Sequence, residues 1–154
     1  MLYINKIIDG DTVEVMNSLS KETKTIRLLG IDAPETYRSR KLKQDERETH
    51  IAGELLIKMG KSSKQYLADL LPIGTQVLIR QELKQQKGFY KRALGYIISP
   101  DGYCVNEIMV KDGYAKAYNK YWCGELKKYQ ILNYRAIKEN LGLYKTMLGY
   151  KKAS

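Results

Sequence analysis

A chain of 154 residues, 44% of them apolar, is the size of one domain with one core and excludes wholesale disorder. Its 27 basic and 17 acidic side chains leave a net charge of +10, which favours a polyanionic partner, and 13 tyrosines add rings able to stack on bases or sugars. A lone histidine, His50, and two cysteines without CxxC spacing, Cys104 and Cys123, exclude a two-histidine phosphoesterase, a histidine-rich zinc centre and a zinc knuckle.

The chain opens on Leu2–Ile8, which reads as a strand; Asn5 and Lys6 interrupt it, so it is no signal-peptide core. Asp9-Gly10 is a tight-turn signal into a second strand, Asp11–Met16. The polar turn Asn17–Glu22 leads to a third, Thr23–Ile31, and Pro34 stops it because proline has no donor for a ladder. Tyr37–Thr49 is dense in charge and poor in apolar residues, the pattern of an exposed loop, partly helical near its end. Ile51–Leu71 sets Leu55, Met59, Tyr66, Leu67 and Leu70 at helical spacing, with Gly60 a point where the helix would break in two and Pro72 and Gly74 its end. Thr75–Gln81 and Ala93–Ile98 read as the fourth and fifth strands, Pro100-Asp101-Gly102 as a turn, and Val105–Lys111 and Glu125–Glu139 as closing helices. The last of these carries Leu126, Tyr129, Ile131, Ala136 and Ile137 on its apolar stripe. Five strands with a helix before the fourth make an α+β chain that is mainly β barrel: a five-stranded OB-type Greek-key barrel with about three helices, one domain over residues 1–154. No apolar run reaches membrane-spanning length, so the chain as given reads as soluble, with secretion open if an export signal has been trimmed.

The chemistry-bearing residues lie where strands end. Asp11 follows the first turn and Asp32 follows the third strand, and their carboxylates are hard oxygen donors suited to a divalent cation. Two such carboxylates side by side also need a cation to relieve their repulsion. Glu35 can orient or deprotonate a water, and Arg27 can grip a phosphate through two parallel hydrogen bonds. Arg92 follows in a second basic stretch, Gly88–Tyr96, with Tyr90 beside it. Arg27 and Asp32 have opposite strand parity, so they share a site only if the chain bends between them, and Gly30 is the place for that. An acid pair, a base and two arginines at strand ends are what a metal-assisted phosphodiester hydrolase requires.

Ile8-Asp9-Gly10-Asp11-Thr12 and Ile26-Arg27-Leu28-Leu29-Gly30-Ile31-Asp32-Ala33-Pro34-Glu35-Thr36, followed in order by Tyr90–Tyr96 with Arg92 and by Val105-Asn106-Glu107, resemble the staphylococcal nuclease (thermonuclease) family over nearly the whole chain. That resemblance implies a calcium-dependent nuclease on an OB barrel that cleaves DNA and RNA at the P–O5′ bond, leaving a 3′-phosphate. By the same resemblance Asp11, Asp32 and the carbonyl of Ala33 carry the calcium, Glu35 acts on the attacking water, and Arg27 and Arg92 hold the scissile phosphate. Magnesium stays open on the residues alone. Two departures stand out: Ala33 replaces the threonine common just before the proline, and Tyr37–Met59 is longer than the matching loop of the best-known member.

Each of these residues also has a plainer reading. Asp9 is either a turn residue or, with Thr12, a brace behind the metal-binding carboxylates. Arg27 as a surface ion-pair partner would contribute under about 1 kcal/mol. Tyr90 and Tyr118 can stack on or bond to the nucleotide, and Tyr118 suits core packing equally. Asn106 and Glu107 secure a helix start, His50 is solvated, the cysteines are either reduced and structural or joined in a single disulfide, and Lys151 and Lys152 are a solvated tail. The rival function is a non-catalytic OB module gripping single-stranded nucleic acid. A second nuclease centre from Asp69 with Glu82-Leu83-Lys84, and a two-metal version of the main site, are weaker readings. The substrate is DNA and RNA in the main reading, with a monomeric protein, no protein partner and no membrane.

Overall fold

A computed structural model describes residues 1–83 and 92–145. Tyr90, Lys84, Lys151 and Lys152 lie outside the described residues.

Strands β1 (Leu2–Asp9), β2 (Thr12–Asn17) and β3 (Thr23–Leu28) form consecutive antiparallel pairs. A two-residue connection, Gly10-Asp11, joins the first two, so Asp11 sits at the rim of the sheet. Ile4, Ile7, Val13, Val15 and Ile26 are buried while Asn5 and Lys6 are exposed, the alternation of a sheet with one face inward. After β4 (Ile31–Asp32) and the helices α1 (Arg40–Thr49) and α2 (Gly53–Leu70) come β5 (Gln76–Arg80) and β6 (Ala93–Ile98). β6 runs parallel to β3 and antiparallel to β5, and β5 returns to β1, closing a five-stranded barrel in the order β1-β2-β3-β6-β5. Register shifts between Ile4 and Lys6 and between Ile7 and Asp9 bend β1 enough to pair with both neighbours. This is the OB-type architecture expected from the strand pattern.

Helix α3 (Val105–Lys111) covers β6, the two-residue strand β7 (Lys116–Ala117) pairs with β4, and α4 (Leu126–Lys138) packs on α3 and β7. On α4 only Tyr129 and Ala136 are buried; Ile131 and Ile137 are half exposed and do not belong to its packing stripe. Asn106 does not hold the start of α3, where Cys104 is the cap without a side-chain bond. It is fully buried, donating to the carbonyls of Leu29 and Gly95 and accepting from the Ile97 N–H, so it ties β6 to the chain leaving β3. Cys104 and Cys123 are both free thiols, the latter 3.1 Å from the Tyr96 hydroxyl.

Two further expectations change. The charged segment after Tyr37 is mostly helix: Ser39 caps α1 by accepting from the Leu42 N–H, and His50, exposed and left-handed at φ 57°, ends it. Four helices stand among the described residues, where about three were expected. α2 is continuous through Gly60, whose missing side chain serves another purpose: a Cβ there would come within 2.2 Å of the Glu35 carbonyl oxygen. Leu42, Ile51, Leu56, Met59 and Leu143 form a second small core that seats α1 and α2 beside the barrel rim.

Candidate active site

The rim where β1 meets β2 and β3 leaves for β4 opens into a cleft of about 960 Å³. Asp9, Asp11, Thr12, Arg27, Asp32, Glu35, Arg92 and Tyr118 all line it, so every candidate side chain within the described residues comes to one place. Lys41, Lys116 and Lys120 add positive charge around the acids.

The bend needed between Arg27 and Asp32 is present. β3 ends at Leu28 and Gly30 takes φ +81°, a left-handed conformation that costs glycine nothing and that other residues resist. The turn sends Ile31-Asp32 back across the rim, where β4 pairs with β7. Arg27 Nη2 then lies 3.2 Å from Asp32 Oδ1 and 3.4 Å from Asp11 Oδ2. Nη1 donates to the carbonyls of Leu28 and Ile31, both at 2.8 Å. Arg27 is 5% exposed, so it is a buried positive partner of two carboxylates and not a surface ion pair. Nη1 is thus committed to carbonyls and Nη2 to the two carboxylates.

Asp11 is 6% exposed and held from three sides. Its Oδ2 accepts from the Ala33 N–H at 2.8 Å and its Oδ1 from the Thr12 hydroxyl at 2.9 Å. Burial opposes its ionisation, but Arg27, Lys41 and these two hydrogen bonds outweigh it and hold the carboxyl below the ordinary aspartate range. Asp9 stands a step away and accepts from the Thr36 hydroxyl at 2.8 Å, which pins the loop carrying Glu35; burial raises its carboxyl against that bond. Burial likewise pushes Glu35 above the usual glutamate range, against the pull of Lys41, and so makes it a stronger base than a solvated carboxylate. The Tyr118 ring centre lies 5.6 Å from the Arg27 guanidinium, at the mouth of the cleft, and stands edge-on to Tyr121.

Lys41 escaped the sequence reading. From the first turn of α1 its ammonium donates to Asp32 Oδ1 at 2.7 Å and to the Ala33 carbonyl at 3.4 Å, and it lies 3.3 Å from Glu35 Oε1. Those carboxylates raise its pKa despite burial. A serine ahead of a charged run is a helix-start signal, and Ser39 was the available clue that Lys41 stands on a helix, though not to what that helix faces. Among the described residues no three His, Cys, Asp or Glu side chains close into a ready metal cage. Instead, two carboxylates and a carbonyl surround a cation of the chain's own, which shows that the cradle accepts positive charge through hard oxygen donors. The rival acids are otherwise engaged: Asp69 accepts from Gln65 on exposed helix, and Glu82 accepts from the Tyr96 hydroxyl and the Gly124 N–H.

Residues 25–146 match the family model described as staphylococcal nuclease homologue. The chain is 33% identical over 115 residues to endonuclease YhcR of Bacillus subtilis (strain 168), a stretch covering 75% of this chain and 9% of that protein. It is 34% identical over 116 residues to an uncharacterized endonuclease of Escherichia coli O157:H7, covering 75% of this chain and 60% of that protein. The match therefore takes up less than two thirds of either relative's length. To a micrococcal nuclease of Shigella flexneri it is 30% identical over 152 residues, 90% of this chain and 70% of that protein. With the barrel, the ordered motifs and the cleft agreeing with a family match that spans most of its length, the chain belongs to the staphylococcal nuclease family.

Proposed function

We propose that this protein is a nuclease that hydrolyses phosphodiester bonds of DNA and RNA with the help of one divalent cation, calcium in the first instance. The observation that carries the reading is the gathering of Asp11, Arg27, Asp32, Glu35 and Arg92 in one cleft on a strongly basic protein. The nuclease names of the relatives support the reaction class. Asp11, Asp32 and the Ala33 carbonyl would hold the cation, and their oxygens suit calcium or magnesium better than a softer metal. When bound, the cation supplies charge to the phosphate oxygens and makes a nearby water easier to deprotonate.

The protein's own groups do the rest. Glu35 takes a proton from the attacking water as its oxygen bonds to phosphorus. The phosphorus–O5′ bond breaks, the leaving oxygen takes a proton from solvent water to end as a 5′-hydroxyl, and the other product keeps a 3′-phosphate. Arg92 and Arg27 counter the charge that gathers on the non-bridging oxygens. Thr12 and the Ala33 N–H fix the orientation of Asp11, while Asp9 fixes the Glu35 loop through Thr36. Tyr118 offers a ring for a base or sugar beside the reacting phosphate.

Glu35→Gln separates an enzyme from a binding module. The carboxamide keeps the side chain's bulk while the base is lost, so turnover of single-stranded DNA should fall by about 10²-fold or more with little change in its binding. Wild-type protein that binds DNA tightly and cuts nothing in any divalent ion would establish the non-catalytic reading instead.

A further inference from the structure

Lys41 sets a conflict within the site. Its ammonium touches Asp32 and the Ala33 carbonyl, two of the three groups assigned above to the cation, and also the general base Glu35. Calcium takes oxygen ligands at about 2.3–2.6 Å, and an ammonium 2.7 Å from Asp32 Oδ1 sets a like charge beside the place where the ion would bind, so the two repel and compete for the same oxygens. The lysine is also placed to leave. Its side chain is 34% exposed, and Leu42 is the single buried residue of α1. An apolar pocket of about 120 Å³ lies against α1, lined by Asp45 and Thr49 with Leu56 and Met59 of α2, so the helix is incompletely packed on that side.

We infer that Lys41 is a tethered cation that competes with the divalent ion for the active-site cradle, and that α1 withdraws it when the ion binds. The inference rests on the metal reading of Asp11, Asp32 and Ala33 given above. Without the ion, the ammonium neutralises Asp32 and Glu35 and holds the base in an ion pair, so the site is stable and idle. When the ion binds, Lys41 is released into a cleft that also receives the substrate phosphates. A tethered competitor acts at high effective concentration and sets the ion level at which the site fills.

The test is calcium binding by the 154-residue chain, followed by titration calorimetry, in wild type and in Lys41→Gln. Removing the competitor should tighten calcium binding about 10-fold or more. Equal or weaker binding by the variant would overturn the inference and leave the metal reading standing. Calcium binding by neither protein would overturn both. A second measurement needs no variant: acetylation of Lys41 by an amine reagent, read by mass spectrometry against Lys138 on α4. Calcium should speed labelling of Lys41 at least about threefold and leave Lys138 unchanged; an unchanged Lys41 rate would overturn the inference.

Discussion

Asp11 shows how a single carboxylate is kept charged in a nearly closed environment. Arg27, Lys41, the Ala33 N–H and the Thr12 hydroxyl together outweigh the cost of burying it. A carboxyl depressed below its unfolded value contributes stability above that value and loses it as pH falls through the folded one. Asp11→Asn should therefore destabilise the metal-free protein at neutral pH. The gap from wild type should narrow below about pH 4, where the unfolded aspartate takes up its proton. Urea unfolding in chelator at several pH values measures this, and a gap constant with pH would show that Asp11 contributes through shape alone. The residues at strand ends were legible because short local sequence fixes them: a two-residue turn for Asp11, and Gly30 with Pro34 for Asp32. Lys41 was not legible, since nothing near it in sequence reveals that its helix lies over the acids.

Elements explain that difference. α1 has one buried apolar residue, Leu42, so it lacks the periodic stripe by which a helix is recognised, and its place is set by tertiary contact with Ile51, Leu56, Met59 and Leu143. Ile131 and Ile137 mislead in the opposite way, being apolar and periodic yet half exposed on α4. Gly60 reads as a helix breaker because glycine costs a helix about 1 kcal/mol against alanine. In the fold it lets α2 press against the loop that carries Glu35, where a Cβ would come within 2.2 Å of a backbone oxygen. Gly60→Ala should thus cost about 1–3 kcal/mol of stability in spite of its better helix propensity, the usual scale for forced overpacking. It should also lower turnover by moving Glu35. Thermal unfolding and steady-state cleavage on the same preparation check both, and a variant more stable than wild type would show that the loop yields freely.

At the scale of the molecule, a closed barrel holds the acids at its rim while α1 and β7 wall the cleft around them. The net charge of +10 favours polyanionic partners, and among the described residues the buried acids gather oxygen donors at that rim. The five barrel strands and the OB-type fold were legible because short apolar segments bounded by turn signals mark each strand. The central claim is that cutting depends on an ion held by Asp11, Asp32 and the Ala33 carbonyl. Purified protein should be incubated with plasmid and with single-stranded DNA, first in calcium and then in excess chelator. Cleavage in calcium that stops in chelator and resumes when calcium is restored is the predicted result. Undiminished cleavage in chelator would contradict the account.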